Sequence, residues 1–212
     1  MKEYYYDKLL NIKTRGTQRT FPDSSHHNPY QPTSYRALEA LFQAYHLKPS
    51  DHVVDFGCGK GRLSFYIYYF YHVTVTGVEM NRSLYNEAIR NRRRYLDQTQ
   101  EHTDKIHFQH GMAEAYRVDP SDNRFYFFNP FSVEIFMKVI HNILHSAAEY
   151  KRDIELIVYY GSDEYVDYLE NNTAFELKKE ITLSHIFNGD PYDRFLIYRL
   201  GTEMDPWSDR LR

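Results

Sequence analysis

The sequence predicts an α/β fold in which a mostly parallel sheet is covered by helices on both faces. Short β-branched and aromatic runs alternate with segments of helical periodicity, and a glycine-rich turn joins the first such run to the helix after it. Near the C-terminus the alternation stops, and two strand-like runs follow one another with no helix between them. Strand and helix taking turns means parallel strands joined by crossover helices, a sheet buried on both faces.

Residues 1–32 carry Pro22, Pro29, Pro32, Lys13, Arg15 and Arg19 without sustained periodicity, and read as an arm or lid ahead of a single domain over 33–212. From Thr33 onward, Tyr35, Leu38, Leu41, Phe42 and Tyr45 fall at helical spacing, with Thr33 as a candidate N-cap and Pro49-Ser50 closing the segment. The alternation then runs strand His52–Phe56, helix Arg62–Tyr71, strand Val73–Glu79, helix Leu84–Gln98 and strand Lys105–His110. It continues with strand Phe125–Asn129, helix Val133–Ala147, strand Ile154–Tyr160 and helix Glu164–Asn171. The runs Phe175–Leu183 and Phe195–Leu200, separated by a loop containing Gly189-Asp190-Pro191, predict an antiparallel pair at one edge.

A chain of 212 residues is long enough for one domain with a core and short for two. Lys+Arg 26 against Asp+Glu 29 gives a formal charge of -3, so the whole-chain field offers no general attraction to nucleic acid or to an anionic membrane. Cys58 is the one cysteine and has no internal disulfide partner. MKEYYYDKLL lacks the apolar region of a signal peptide, so a reducing, cytoplasmic setting is expected. The stretch Leu63 to Val78 is interrupted by His72 and several tyrosines and falls short of the roughly 20 apolar residues a membrane helix needs. With Tyr 21 and Phe 14 spread along the chain, tyrosines are expected to share apolar surface while their hydroxyls stay in water.

The sharpest motif is Val53-Val54-Asp55-Phe56-Gly57-Cys58-Gly59-Lys60-Gly61, a buried-type strand running into a glycine-rich turn that opens a helix. Glycines there permit positive φ and the close approach of a ligand. In the dinucleotide fingerprint a third glycine stands three residues after the second; here that position is Arg62, which argues against NAD or FAD. Glu79 ends the second strand, roughly 20 residues beyond the turn, where an acid reaches both hydroxyls of a ribose. The alternative is a solvated strand-end carboxylate.

Asp55-x-Gly57-x-Gly59-x-Gly61 resembles the first motif of class I S-adenosylmethionine-dependent methyltransferases, and the resemblance covers roughly residues 33 to 200. It implies a Rossmann-like three-layer sandwich with seven strands, the last inserted antiparallel, and a cofactor crevice at the carboxyl ends of the first strands. It also implies S-adenosylmethionine as methyl donor. Asp55 would hold the methionine ammonium, directly or through water, with the backbone of Gly57, Cys58, Gly59 and Gly61 against the cofactor, Glu79 on the ribose and Met80 packed on the adenine. Family members often carry an Asp-Ala pair after the third strand; here Met112-Ala113 stands in its place, so adenine recognition passes to Ala113, Glu114 or backbone groups.

Asn129-Pro130-Phe131, after Phe127-Phe128, resembles the Asn/Asp-Pro-Pro-Tyr/Phe motif of amino methyltransferases acting on exocyclic base amines or glutamine amides. There the Asn, which also lies near the cofactor, and a following carbonyl accept hydrogen bonds from the target NH2, and the aromatic stacks on the planar group. One proline is missing here, which brings Phe131 a position closer to Asn129. Two readings stand: a catalytic loop, or a chain turn at Asn129-Pro130 with Phe131 in the core.

Tyr30-Gln31-Pro32-Thr33-Ser34-Tyr35 has the form of a segment that closes over the cofactor in several such families. Arg90, Arg92, Arg93 and Arg94 form a basic cluster, either a phosphate site or a solvated face balanced by Asp97 and Glu101. His26-His27 and the other histidines lack metal-ligand spacing and a single cysteine makes no thiolate zinc site, so no metal is expected. The acceptor expected from the resemblance is an amine or amide nitrogen of a nucleobase or glutamine. A small-molecule acceptor and a non-catalytic S-adenosylmethionine-binding accessory protein are the alternatives.

Overall fold

The computed structural model describes residues 2–16, 30–100, 103–183 and 189–201. Its elements follow the predicted order: α2 Tyr35–Ala44, β1 His52–Phe56, α3 Arg62–Tyr71, β2 Thr74–Glu79, α4 Arg82–Thr99, β3 Ile106–His110, β4 Arg124–Phe128, α5 Val133–Glu149, β5 Glu155–Tyr159, α6 Asp163–Asn172, β6 Phe175–Thr182 and β7 Arg194–Leu200. Two features were not in the sequence reading: helix α1, Lys2–Leu9, inside the expected arm, and a 3₁₀ turn over Ala113–Ala115. Helix α1 has little amphipathic contrast (KEYYYDKL), which hid it from a periodicity search; polar side chains anchor it. Arg19, Pro22, His26-His27, Pro29 and Glu101 lie outside the described residues.

The sheet has seven strands in the order β3-β2-β1-β4-β5-β7-β6. Strands β1 to β5 pair parallel, and β7 is inserted antiparallel between β5 and β6. The Rossmann-like α/β sandwich expected from the sequence is therefore observed. Side chains alternate across it. Val53, Tyr126 and Ile157 join the core under α1 to α4, while Val54, Phe125, Phe127, Leu156 and Val158 face the core under α5 and α6. Strand order reverses at β1, with β2 on one side and β4 on the other, which opens a crevice above the carboxyl ends of β1, β2 and β4.

Two local expectations are corrected. Ser34, not Thr33, caps α2, its side chain accepting from the Ala37 N–H, because the Thr33 hydroxyl is held by Tyr126 Oη at 2.7 Å. Many tyrosine hydroxyls are not in water. Tyr6, Tyr35, Tyr45, Tyr116, Tyr159 and Tyr198 donate to Glu39, Asp7, Glu155, Asp122, Asp193 and Glu170, so each ring is buried, or partly buried in the case of Tyr6, while a carboxylate satisfies its polar tip. At the floor of the sheet, Arg124 is 3% exposed and meets Asp51 at 3.1 Å, Asp153 at 3.0 Å and Glu155 at 3.8 Å, tying the starts of β1, β4 and β5 together.

Candidate functional site

From Phe56 the chain turns through Gly57, Cys58, Gly59, Lys60 and Gly61 into α3, with φ of 78° at Gly57, 56° at Gly59 and 83° at Gly61. The N–H groups of Gly57 and Cys58 both donate to the Val78 carbonyl, at 2.9 and 3.1 Å, which pins the turn to β2. A Cβ at Gly57 would lie 2.8 Å from Pro130, at Gly59 2.1 Å from the Tyr30 ring, and at Gly61 2.6 Å from Phe108. Glycine is thus demanded twice, by left-handed backbone and by close packing. Cys58 packs its thiol on Gly77, and burial with Asp55 and Glu79 nearby pushes that thiol well up, which keeps it protonated and unreactive.

Asp55 and Glu79 stand side by side at this turn, Asp55 in register with Gly77 and each nearly buried. Glu79 accepts from the Gly59 N–H at 2.8 Å with one oxygen and from the Asn81 N–H at 2.7 Å with the other. Its carboxyl is raised by burial, against the pull of those two N–H groups, so the solvated-carboxylate reading does not hold. Asp55 meets no hydrogen-bond donor among the described residues, and burial together with the Glu79 charge pushes its pKa up to about 8. A pair of buried carboxyl groups with no cation beside it among the described residues disfavours a pyrophosphate. They suit a ligand that brings an ammonium and vicinal hydroxyls, each Glu79 oxygen keeping a free lone pair for a hydroxyl.

The next strand end is more open. Met80 is 40% exposed, and its carbonyl lies 3.0 Å from the His110 ring nitrogen. Gly111 N–H donates to the Glu79 carbonyl, which draws the β3 end to the β2 tip. Ala113 and Glu114 lie in the 3₁₀ turn, half-buried, with the Glu114 carbonyl taken by Asn142.

Asn129, just past β4, is held at φ 37°, and Pro130 rests on Gly57. Phe131 occupies the core: it is 5% exposed, stands edge-on to Phe127, and its carbonyl accepts from the Tyr165 hydroxyl. The structure thus brings Asn129 and Pro130 to the glycine turn while turning the Phe131 ring inward. Tyr160, just past β5 and beside Asn129 through the Phe128–Tyr159 register, is also left-handed, at φ 54°. A tyrosine in that region is strained, and its hydroxyl is tethered to Asp190 at 2.6 Å. Sequence reasoning passed over Tyr160, since nothing in a strand-end tyrosine announces its backbone angle.

It also passed over Arg62 as more than a missing glycine. Arg62 is buried and donates to Thr14 Oγ1 at 2.8 Å, to the Thr33 carbonyl at 3.1 Å and to Glu3, with its guanidinium over the Tyr35 ring. The basic cluster on α4 is largely structural. Arg92 donates to the carbonyls of Ile106 and Thr103, Arg94 to Asn91, and Arg90 pairs with Glu87 rather than with Asp97. Among the described residues no group of three or more His, Cys, Asp or Glu is arranged to hold a metal ion, and no helix is long and apolar enough to cross a membrane.

Residues 33–127 match the family model of a methyltransferase domain. No curated protein gives a sequence match. Among solved structures, a candidate RNA methyltransferase from Pyrococcus horikoshii superposes with a TM-score of 0.56 at 18% identity over 93% of this chain and 96% of that one. An RNA methyltransferase from Salinibacter ruber, in complex with S-adenosyl-L-homocysteine, gives 0.54 at 12% identity, covering 82% and 96%. TrmK from M. capricolum, also with S-adenosylhomocysteine, gives 0.54 at 12%, covering 82% and 70%. At these identities the likeness is one of fold.

Proposed function

We propose that this chain is a class I S-adenosylmethionine-dependent methyltransferase that binds its methyl donor across the glycine turn, with Glu79 on the ribose hydroxyls and Asp55 facing the amino-acid ammonium. The observation that carries this is the Asp55–Glu79 pair, buried with no cation against it among the described residues, beside a turn that leaves no room for side chains. The cofactor supplies an electrophilic methyl group on a sulfonium. The chain's own part is to align an acceptor with it and to keep water away, which suits a direct displacement needing positioned partners more than a strong base.

Asn129 is the residue proposed to hold the acceptor nitrogen, its amide oxygen accepting an N–H so that the nitrogen lone pair points at the methyl. With the donor bound, its methyl group would pass from the sulfonium sulfur to the nitrogen held by Asn129, and the proton that nitrogen sheds would go to solvent. An amine or amide nitrogen of a nucleobase or glutamine is the acceptor class that fits Asn129, with aromatic stacking drawn from a ring other than the core-packed Phe131.

A small uncharged or cationic acceptor is a second reading, supported by the carboxylates Asp163, Asp190 and Asp193. These are bonded to Tyr192, Tyr160 and Tyr159 at the rim beyond β5, where a phosphate backbone would be repelled. Calorimetric titration with S-adenosylhomocysteine, beside NAD and a Glu79→Ala variant, tests the cofactor. Micromolar binding lost in the variant is expected; NAD binding without the adenosyl ligand would overturn the reading. Methyl transfer from labelled donor to RNA, DNA, glutamine peptides and small amines then separates the two acceptor classes.

A further inference from the structure

Resting on that cofactor reading, and on the expectation that the Tyr30–Tyr35 segment closes over the cofactor, we propose that Arg62, acting through Thr14, is the positioning residue that sets the Tyr30 ring as a wall of the site. A ligand spanning Asp55 and Glu79 must run over Gly57 to Gly59, because Gly59 N–H is bonded to Glu79 and Gly57 directly follows the Asp55 strand. At Gly59 the outer face of that path is the Tyr30 ring, 2.1 Å from where a Cβ would stand. The Lys60 ammonium lies over the same ring at 5.2 Å, so the ring is held at the turn from two directions.

Tyr30 reaches this place by an anchored route. Its hydroxyl donates to the Thr14 carbonyl at 2.7 Å. Thr14 is fully buried and is clasped by Asp7, which accepts from its N–H at 3.1 Å and its hydroxyl at 2.7 Å. Arg62 Nε closes the clasp on the Thr14 hydroxyl. Asn91, on α4, bonds both Lys13 and the Lys60 carbonyl, binding the same segment to the glycine turn from the other side. The sequence position that rules out a dinucleotide fingerprint is therefore the one that joins α1 to the cofactor turn. Residues 2–14 become part of the binding site without contacting the ligand.

The test is calorimetric binding of S-adenosylhomocysteine and S-adenosylmethionine to the full chain and to Tyr30→Ala, Tyr30→Phe, Thr14→Val, Arg62→Lys and the double variant Thr14→Val/Tyr30→Ala, with thermal melts to establish folding. Tyr30→Ala is expected to weaken binding about tenfold or more, and Tyr30→Phe, which keeps the ring and loses its tether, by less. Thr14→Val is expected to weaken binding in the native background but not further once Tyr30 is gone, a non-additivity that a general loss of stability would not produce. Arg62→Lys should behave as Thr14→Val does; if it fails to fold, Thr14→Val and Tyr30→Ala decide the matter. Native affinity in folded Tyr30→Ala, or additive losses in the double variant, would overturn the proposal and leave the cofactor assignment standing. A native chain that binds neither adenosyl ligand overturns both.

Discussion

The backbone N–H of Gly59 donates to Glu79 Oε2 at 2.8 Å, so the acid at the tip of β2 also shapes the turn that follows β1. One carboxylate thereby links the two halves of the site. Its second oxygen is fixed by Asn81 N–H, which orients both oxygens toward the crevice before any ligand arrives.

Replacing Glu79 by glutamine places an NH2 group against either the Gly59 or the Asn81 donor. Affinity for S-adenosylhomocysteine should fall about 10- to 100-fold, equivalent to roughly 1.4–2.8 kcal/mol, while the fold persists. Titration calorimetry beside a thermal melt reads both, and unchanged affinity would remove Glu79 from the site.

Asp55 predicts a pH dependence. Its carboxyl is raised to about 8 in the folded chain, against about 3.9 when unfolded, so between those values the folded state keeps a proton the unfolded state has lost. Stability of the ligand-free chain should therefore decline as pH rises through that window and level off above about 8. A bound ammonium favours the carboxylate, so binding near neutral pH should release a proton. Calorimetry in two buffers of different ionisation enthalpy measures it, and identical heats in both would argue that Asp55 does not face the ammonium.

Gly57→Ala drives a methyl to within 2.8 Å of Pro130, at a left-handed φ of 78°. The strain costs about 1 kcal/mol and is relieved most easily by displacing the loop that carries Asn129. Methyl transfer should fall more than cofactor affinity. A variant losing both equally would place the damage in the turn itself.

Arg124→Met leaves Asp51 buried without its cation and Glu155 with Lys178 alone, at the opposite end of the sheet. Unfolding by urea should show a loss of about 3–5 kcal/mol, with S-adenosylhomocysteine affinity unchanged in whatever fraction remains folded. A smaller loss would mean that Lys178, already bonded to Glu155, compensates.

Much of this site could be read along the chain, because its elements are local. A strand, a glycine turn and a helix start are contiguous from Val53 to Arg62, and period-two and helical patterns report which faces are buried. The predicted strands match those observed to within a residue at each end, and β1 and α3 match at both ends. Helix α1 escaped because its anchors, Asp7 and Glu3, find their partners Thr14, Tyr35 and Arg62 across distant stretches of sequence.

What the sequence determined by itself was the alternation of elements, the antiparallel ending, and the acids at the tips of the first two strands. Tertiary structure alone decided which side chains share a place. It set Tyr30 on Gly59 and Pro130 on Gly57, turned Phe131 into the core, and held Asn129 and Tyr160 as neighbours with strained backbones. The physical reason is range. Propensity and periodicity act over a few residues, whereas close packing and the pairing of buried charge act between elements that meet only once the sheet has formed.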